Sequence, residues 1–171
     1  MAASESPTVR EIVVAPSPLL AAPAAPVSLP DPAVTALVED LRATMTAHRG
    51  LGLAAPQIGV PLRVAVVAVP GHELVLLNPR VVRARGRNRS WEGCLSVPDR
   101  VAEVERADQV EVDTLRLDGR AVSVRAEGLA ARAVLHEIDH LDGRLYTQLV
   151  PADALIDSVA NPTPPPSRGK R

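Results

Sequence analysis

Residues 131–143 read ARAVLHEIDHLDG. Val134, Ile138 and Leu141 recur at helical spacing, and Leu129, Ala133, His136 and His140 form the neighbouring stripe. The pattern predicts a helix from about Glu127 to Leu141, stopped by Asp142-Gly143. In such a helix both histidine rings lie on one face, near enough to share a metal ion. Glu137 follows His136 directly, so the stretch carries H-E-x-x-H, in which two imidazoles bind a metal and the glutamate handles protons on a water. The competing reading is a chance match on an amphipathic helix. Polar histidines on an otherwise apolar helix need a partner, and a metal is one.

Strands are expected before this helix. RVAVVAV (63–69), ELVLLN (73–78), RVVRARG (80–86), VAEVER (101–106), QVEVDTLRL (109–117) and AVSVRAEG (121–128) are all β-rich. Asp118-Gly119 marks a hairpin between the last two. A further helix is predicted from Pro32 to Ala47, with Asp31 as N-cap, proline in the first turn, and Val34, Leu37, Val38, Leu41 and Met45 at helical spacing. The Pro- and Ala-rich run APSPLLAAPAAPVSLPDP cannot be a regular helix. It reads either as a linker or as an irregular segment anchored by Leu19, Leu20, Val27 and Leu29. PADALIDSVA (151–160) reads as a short helix. The fold class is α+β, with short, mostly antiparallel strands around a central H-E-x-x-H helix and a second, N-terminal helix.

Composition sets the bounds. The chain has 171 residues, enough for one domain with a real core, and 46% are hydrophobic. Trp91 and Tyr146 are its only aromatics, so the core must be built from Val, Leu, Ile and Ala. A net charge of −1 gives no basis for a DNA partner or an anionic membrane. Cys94 stands alone, so no internal disulfide can form. The start of the chain lacks the pattern of a signal peptide, and no run approaches the roughly 20 apolar residues of a membrane span. The expected compartment is the cytoplasm.

Two histidines do not complete a catalytic metal site, which usually has three protein ligands and an open position. Where the longer H-E-x-x-H-x-x-G-x-x-H pattern needs a third histidine, this chain has Tyr146. His48 and His72 stand in unpersuasive contexts. Cys94, in SWEGCLSVP (90–98), is the better candidate, although a lone cysteine is most often a small buried hydrophobe. GLGLAAPQIG (50–59) reads as a loop that lets something approach its backbone, with Gln57 as a neutral donor. It lacks the ending of a phosphate-binding loop.

Taken together, Gly50-Leu51-Gly52-Leu53-Ala54-Ala55-Pro56-Gln57, Glu92-Gly93-Cys94-Leu95-Ser96 and His136-Glu137-Ile138-Asp139-His140 resemble, in that order, the three motifs of the peptide deformylases. The resemblance runs from about Val9 to Val150. It implies one catalytic domain over 9–160, while the residues themselves read as a flexible start over 1–8 and a disordered Pro-rich tail over 161–171.

The resemblance implies a hydrolase that removes the N-formyl group from the formyl-methionine start of newly made proteins. Its divalent metal would be held by Cys94, His136 and His140. Glu137 would act as general acid and base on a metal-bound water. The side chain of Gln57 and the backbone N–H of Leu95 would stabilise the oxyanion. Backbone of Leu51, Gly52 and Gly93 would hold the peptide extended, as an added strand. Ligand softness alone points to Zn2+; the resemblance implies Fe2+, with Ni2+ or Co2+ also able to occupy the site. The partners implied are nascent formyl-methionyl peptides. The arginines of RVVRARGRNR (80–89) offer a transient contact with ribosomal RNA, against the plainer reading of a solvated surface.

Three positions depart from the family pattern. Val101, beside Arg100, replaces an arginine that steadies the peptide. Arg49 replaces an acidic residue, which leaves Arg106 without its usual partner. APSPLL replaces Pro-Asp-Pro-x-Leu-Arg. Substrate affinity and loop anchoring are what these put in question. The alternatives are another H-E-x-x-H metallopeptidase, a catalytically weak paralogue with altered substrate binding, a structural metal, or a thiol hydrolase using Cys94.

Overall fold

The computed structural model describes residues 6–160. Most of the expected flexible start and all of the expected tail lie outside the described residues. In chain order the elements are helices α1 (Pro18–Ala21) and α2 (Pro32–Ala47), strands β1 (Gly52–Ala54), β2 (Val64–Val69), β3 (His72–Leu77), β4 (Arg80–Arg85), β5 (Asn88–Cys94), β6 (Val97–Arg106), β7 (Gln109–Leu115) and β8 (Ala121–Glu127), helix α3 (Gly128–Leu141), and strand β9 (Ile156–Asp157). The strands form three antiparallel sheets, ordered β1-β2-β3, β4-β7-β8 and β5-β6-β9.

β2 explains how the layers are arranged. Its sequence VAVVAV is apolar on both faces, the mark of a strand covered on both sides. Val64 and Val66 join the cluster of Val34, Val38, Leu41 and Met45 from α2. Ala65, Val67 and Val69 join Ala131, Val134, Ile138 and Leu141 from α3. The first sheet therefore stands between the two long helices. α3 also packs on Val110, Val112 and Ala126 of the second sheet, where alternation along β7 buries every second residue.

Local chemistry sets the helix ends. The Asp31 carboxylate accepts from the Ala33 N–H at 2.8 Å, and Pro32 occupies the first turn. α3 stops in a Schellman turn. The Gly143 N–H donates to His140 O and the Arg144 N–H to Asp139 O, with Gly143 at φ 75°. A Cβ at Gly143 would meet the Ala22 backbone at 2.8 Å, so only glycine suits both the turn and the neighbour.

Several segments differ from the expectation. The Pro-rich run is anchored: α1 makes one turn, Leu20, Ala24 and Val27 are buried, and the Ala24 N–H donates to Leu141 O at 2.9 Å. Residues 151–160 form no regular helix but a 3-10 turn (Ala152–Ala154) followed by β9, which pairs with Arg100 and Val101. Pairing satisfies that backbone while Leu155 packs beside Ala102, Val104 and Tyr146. β1 and β5 were not predicted as strands, since GLA and NRSWEGC lack the β-branched alternation that marks the others.

Candidate metal centre and its cleft

α3 turns one face to the core and another to a cleft of about 470 Å³. Leu129, Arg132, Ala133, His136 and Glu137 line the cleft, while Val134, Ile138 and Leu141 face inward. The end of β5 meets this face. Gly93 pairs with Val101 in register, but Cys94 pairs with Val97, so the strand breaks register at the cysteine. Cys94 Sγ lies 3.2 Å from His140 Nε2. One ligand atom each from Cys94, His136 and His140 fall within 4.8 Å of one another, the sole such group of three among the described residues.

A buried charge network stands behind these groups. Glu92 Oε2 lies 2.9 Å from His136 Nδ1. Burial works against the Glu92 charge, but hydrogen bonds from His136 and Arg106 hold its pKa at about 2. An ionised carboxylate only accepts, so His136 Nδ1 donates and Nε2 is left for the cluster. Arg106 grips Glu92 through two bonds of 2.6 and 2.9 Å and donates to Asp139 at 2.7 Å. Arg132 donates to Glu92 at 2.7 Å, to Val104 O at 3.0 Å and to Asn88 O at 2.8 Å. Helix α3 is thereby tied to the strands that carry Cys94. Burial, then the neighbouring His136 charge, lowers His140 to about 3, which keeps it a neutral donor. Burial opposes a proton on His136, yet its bonds with Cys94 and Glu92 raise it to about 10. A metal bound through this ring must displace that proton.

Glu137 is 3% exposed, and its Oε2 is buried without a hydrogen-bond partner. Burial lifts its carboxyl to about 7. Gly52 of β1 is pressed against it: a Cβ there would collide with Glu137 Oε1. Gln57 is pinned by its own oxygen, which accepts from the Ala54 N–H at 2.9 Å. Its amide nitrogen points at Ser96 Oγ (3.2 Å) and Cys94 Sγ (3.6 Å). Leu51, Gly52, Gly93 and Leu95 complete the rim of the same cleft. The nine residues singled out from sequence for metal, proton transfer, oxyanion and peptide backbone thus meet in one place, while His48 and His72 lie exposed elsewhere. Another depression, about 410 Å³ beside Arg83, Arg85, Glu111 and Arg125, holds no metal-ligating cluster among the described residues.

Known proteins resemble the chain at every level. Its residues 9–154 match the polypeptide deformylase family. A peptide deformylase of Thermomicrobium roseum is 47% identical over 151 residues, covering 83% of this chain and 86% of that protein. The crystal structure of a Legionella pneumophila peptide deformylase superposes with a TM-score of 0.81 at 38% identity, over 84% of this chain and 87% of the other. An Acinetobacter baumannii peptide deformylase solved with Met-Ala-Ser bound gives 0.81 at 35% identity, over 85% and 100%. The chain belongs to the polypeptide deformylase family. It is a hydrolase that removes the N-formyl group from nascent peptides.

Against the deformylase pattern, the departures now have places. Arg106 has Glu92 and Asp139 as partners, so the missing acid before the first motif leaves no buried charge unpaired. Arg49 is exposed at φ 55°, next in sequence to the cleft residue Gly50. Val101 stands across from Gly93, while Arg100 is exposed and its carbonyl accepts the Tyr146 hydroxyl at 2.8 Å. Tyr146, 1% exposed, stacks on His136 with ring centroids 6.0 Å apart. It occupies the position where the longer pattern would put a third ligand and packs here against His136 instead. Sequence reasoning missed three supporting roles: Glu92 and Asp139, read only as motif letters, and Arg132, whose signal was one arginine in the apolar run AARAVL.

Proposed function

We propose that this deformylase holds one divalent metal through Cys94, His136 and His140, with the Gly128–Leu141 helix as the central element of a single catalytic domain over 9–160. The observation that carries the reading is the cluster of one thiol and two imidazoles within 4.8 Å, beside a buried Glu137 oxygen that has no partner. The donor set fits the metal, since three ligands leave a fourth position open and Glu92 orients one of the histidines. When bound, a divalent ion there supplies Lewis acidity and a water acidic enough to attack at neutral pH.

The chain's own residues do the rest. Glu137, its pKa lifted by burial, takes the proton of the attacking water and returns it to the leaving amine. Gln57, fixed by the Ala54 N–H, and the Leu95 backbone N–H donate to the oxygen that becomes negative. Leu51, Gly52 and Gly93 hold the peptide backbone along the cleft. The Met-Ala-Ser peptide in the Acinetobacter enzyme supports a peptide in this cleft. Ligand softness favours zinc; the family resemblance favours Fe2+ in the cell, with Zn2+, Ni2+ or Co2+ as substitutes.

The work on new chains assigns the protein to the cytoplasm, with a transient ribosome contact through the exposed Arg83 and Arg85. Their neighbours Arg80, Arg87 and Arg89 are engaged by Asp113 and Glu105. No helix among the described residues is long and apolar enough to cross a membrane. The test is anaerobic purification, metal analysis and hydrolysis of formyl-Met-Ala. Stoichiometric metal in the native protein and its loss in Cys94→Ala are expected. Full metal retention by that variant, or cleavage of internal peptide bonds, would sink the reading.

A further inference from the structure

Trp91 is the chain's only tryptophan, and it stands half-buried in the cleft wall. Strand alternation puts Trp91 and Gly93 on one face of β5 and the buried Glu92 on the other. Gly93 pairs across to Val101, and Val101 pairs on to Ile156 of β9. Residues directly opposed in a ladder share a face, so Val101 and Ile156 continue the face of Trp91. Val101 closes over the bare backbone: a Cβ at Gly93 would lie 3.3 Å from Val101 Cγ1. The result is a notch at Gly93 walled by an indole and a valine.

β5 is the edge strand of its sheet, with β6 on one side only. A peptide laid along the other edge sends successive side chains to opposite faces. Glu92 bonds Arg132 and His136 of α3, so a methionine side chain directed at Leu129 and Ala133 of the same helix would lie on the Glu92 face. The next side chain then falls on the face of Trp91 and Val101. We propose that Trp91 and Val101 form a subsite for an apolar or aromatic side chain on the residue that follows the formyl-methionine. The proposal rests on the reading of Gly93 as a peptide-backbone contact and is continuous with that cleft. Val101, which departs from the family's arginine, becomes part of a wall suited to an apolar residue.

The experiment compares formyl-Met-Phe-Ser with formyl-Met-Ala-Ser on the metal-loaded enzyme, its Trp91→Ala variant and its Trp91→Phe variant. The wild type should show a KM about two- to tenfold lower for the Phe peptide, the range an aromatic contact supplies, with kcat little different between peptides. That ratio should collapse in Trp91→Ala and largely return in Trp91→Phe. A second readout needs no turnover. With one tryptophan in the chain, titration with Met-Phe-Ser should shift or quench its emission more than Met-Ala-Ser does. An equal KM for both peptides in the wild type, a ratio unchanged in Trp91→Ala, or emission blind to Met-Phe-Ser overturns the subsite. Should Trp91→Ala fail to fold, the wild-type KM ratio and emission still decide. Should neither formyl peptide be hydrolysed, the proposed catalytic reading fails, while the emission titration still tests the contact.

Discussion

At the scale of single residues, Glu137 and Gly52 form a unit. Glu137 lies about 100° round the helix from His136, and its carboxylate is held against the bare Cα of Gly52. Glu137→Gln keeps the shape and removes the proposed proton carrier. It should retain bound metal and lose about 10²–10⁴-fold in kcat, the usual share of general acid–base work. A variant with near-normal kcat would assign the proton transfer elsewhere. Gly52→Ala attacks the same group from the other side, because its new methyl occupies the space of the carboxylate. Since the proposed metal ligands are untouched, kcat should fall with metal content unchanged. Normal turnover in Gly52→Ala would mean that β1 or the carboxylate shifts freely. The two-way constraint was only half legible in the sequence. H-E-x-x-H announced Glu137, and GLG announced a close approach, but nothing in either string said that each is the other's neighbour.

At the scale of elements, the site depends on holding the end of β5 against α3. Glu92 on β5 does this with Arg106 from β6 and Arg132 from α3, all three under 9% exposed. The helices and most strands could be read in advance because period 3.6 and period 2 are written in Val, Leu and Ala. β5 could not, because its inward positions are filled by Ser90, Glu92 and Cys94, whose reason for burial is each other and the helix. Burial penalises the Glu92 charge, and the bonds from His136 and Arg106 outweigh it, so the folded pKa is about 2 against 4.5. A depressed acid contributes stability that is fully present above pH 4.5 and lost as the pH falls through about 2. Glu92→Gln lacks that contribution at any pH. Melting temperatures of wild type and Glu92→Gln should therefore differ most above pH 5 and converge toward pH 2. A gap that stays constant across the range would show that the network carries no net charge-dependent stability.

For the molecule as a whole, the centre joins parts of the chain that sequence separates and the fold unites. Cys94 and His140 stand 46 residues apart and meet at 3.2 Å, across the boundary between the third sheet and the helix packed under the other two. A ligand held by both sides binds the folded chain more tightly than the unfolded one, so loading must raise stability by mass action. At free metal 100-fold above the dissociation constant the gain is about 2.7 kcal/mol. For a domain of this size that is a rise in Tm of roughly 5–11 °C. The rise should vanish in Cys94→Ala, where one side of the bridge is gone, and should weaken at low pH, where protons compete at His136. Glu137→Gln should keep it, because that residue is not needed to hold the ion. Chelation should reverse the rise and abolish deformylation together. An enzyme that keeps its activity after complete chelation would be using Cys94 as a nucleophile. A Tm indifferent to added metal would mean that strand and helix are fixed by Glu92, Arg106 and Arg132 alone, with no ion bridging them.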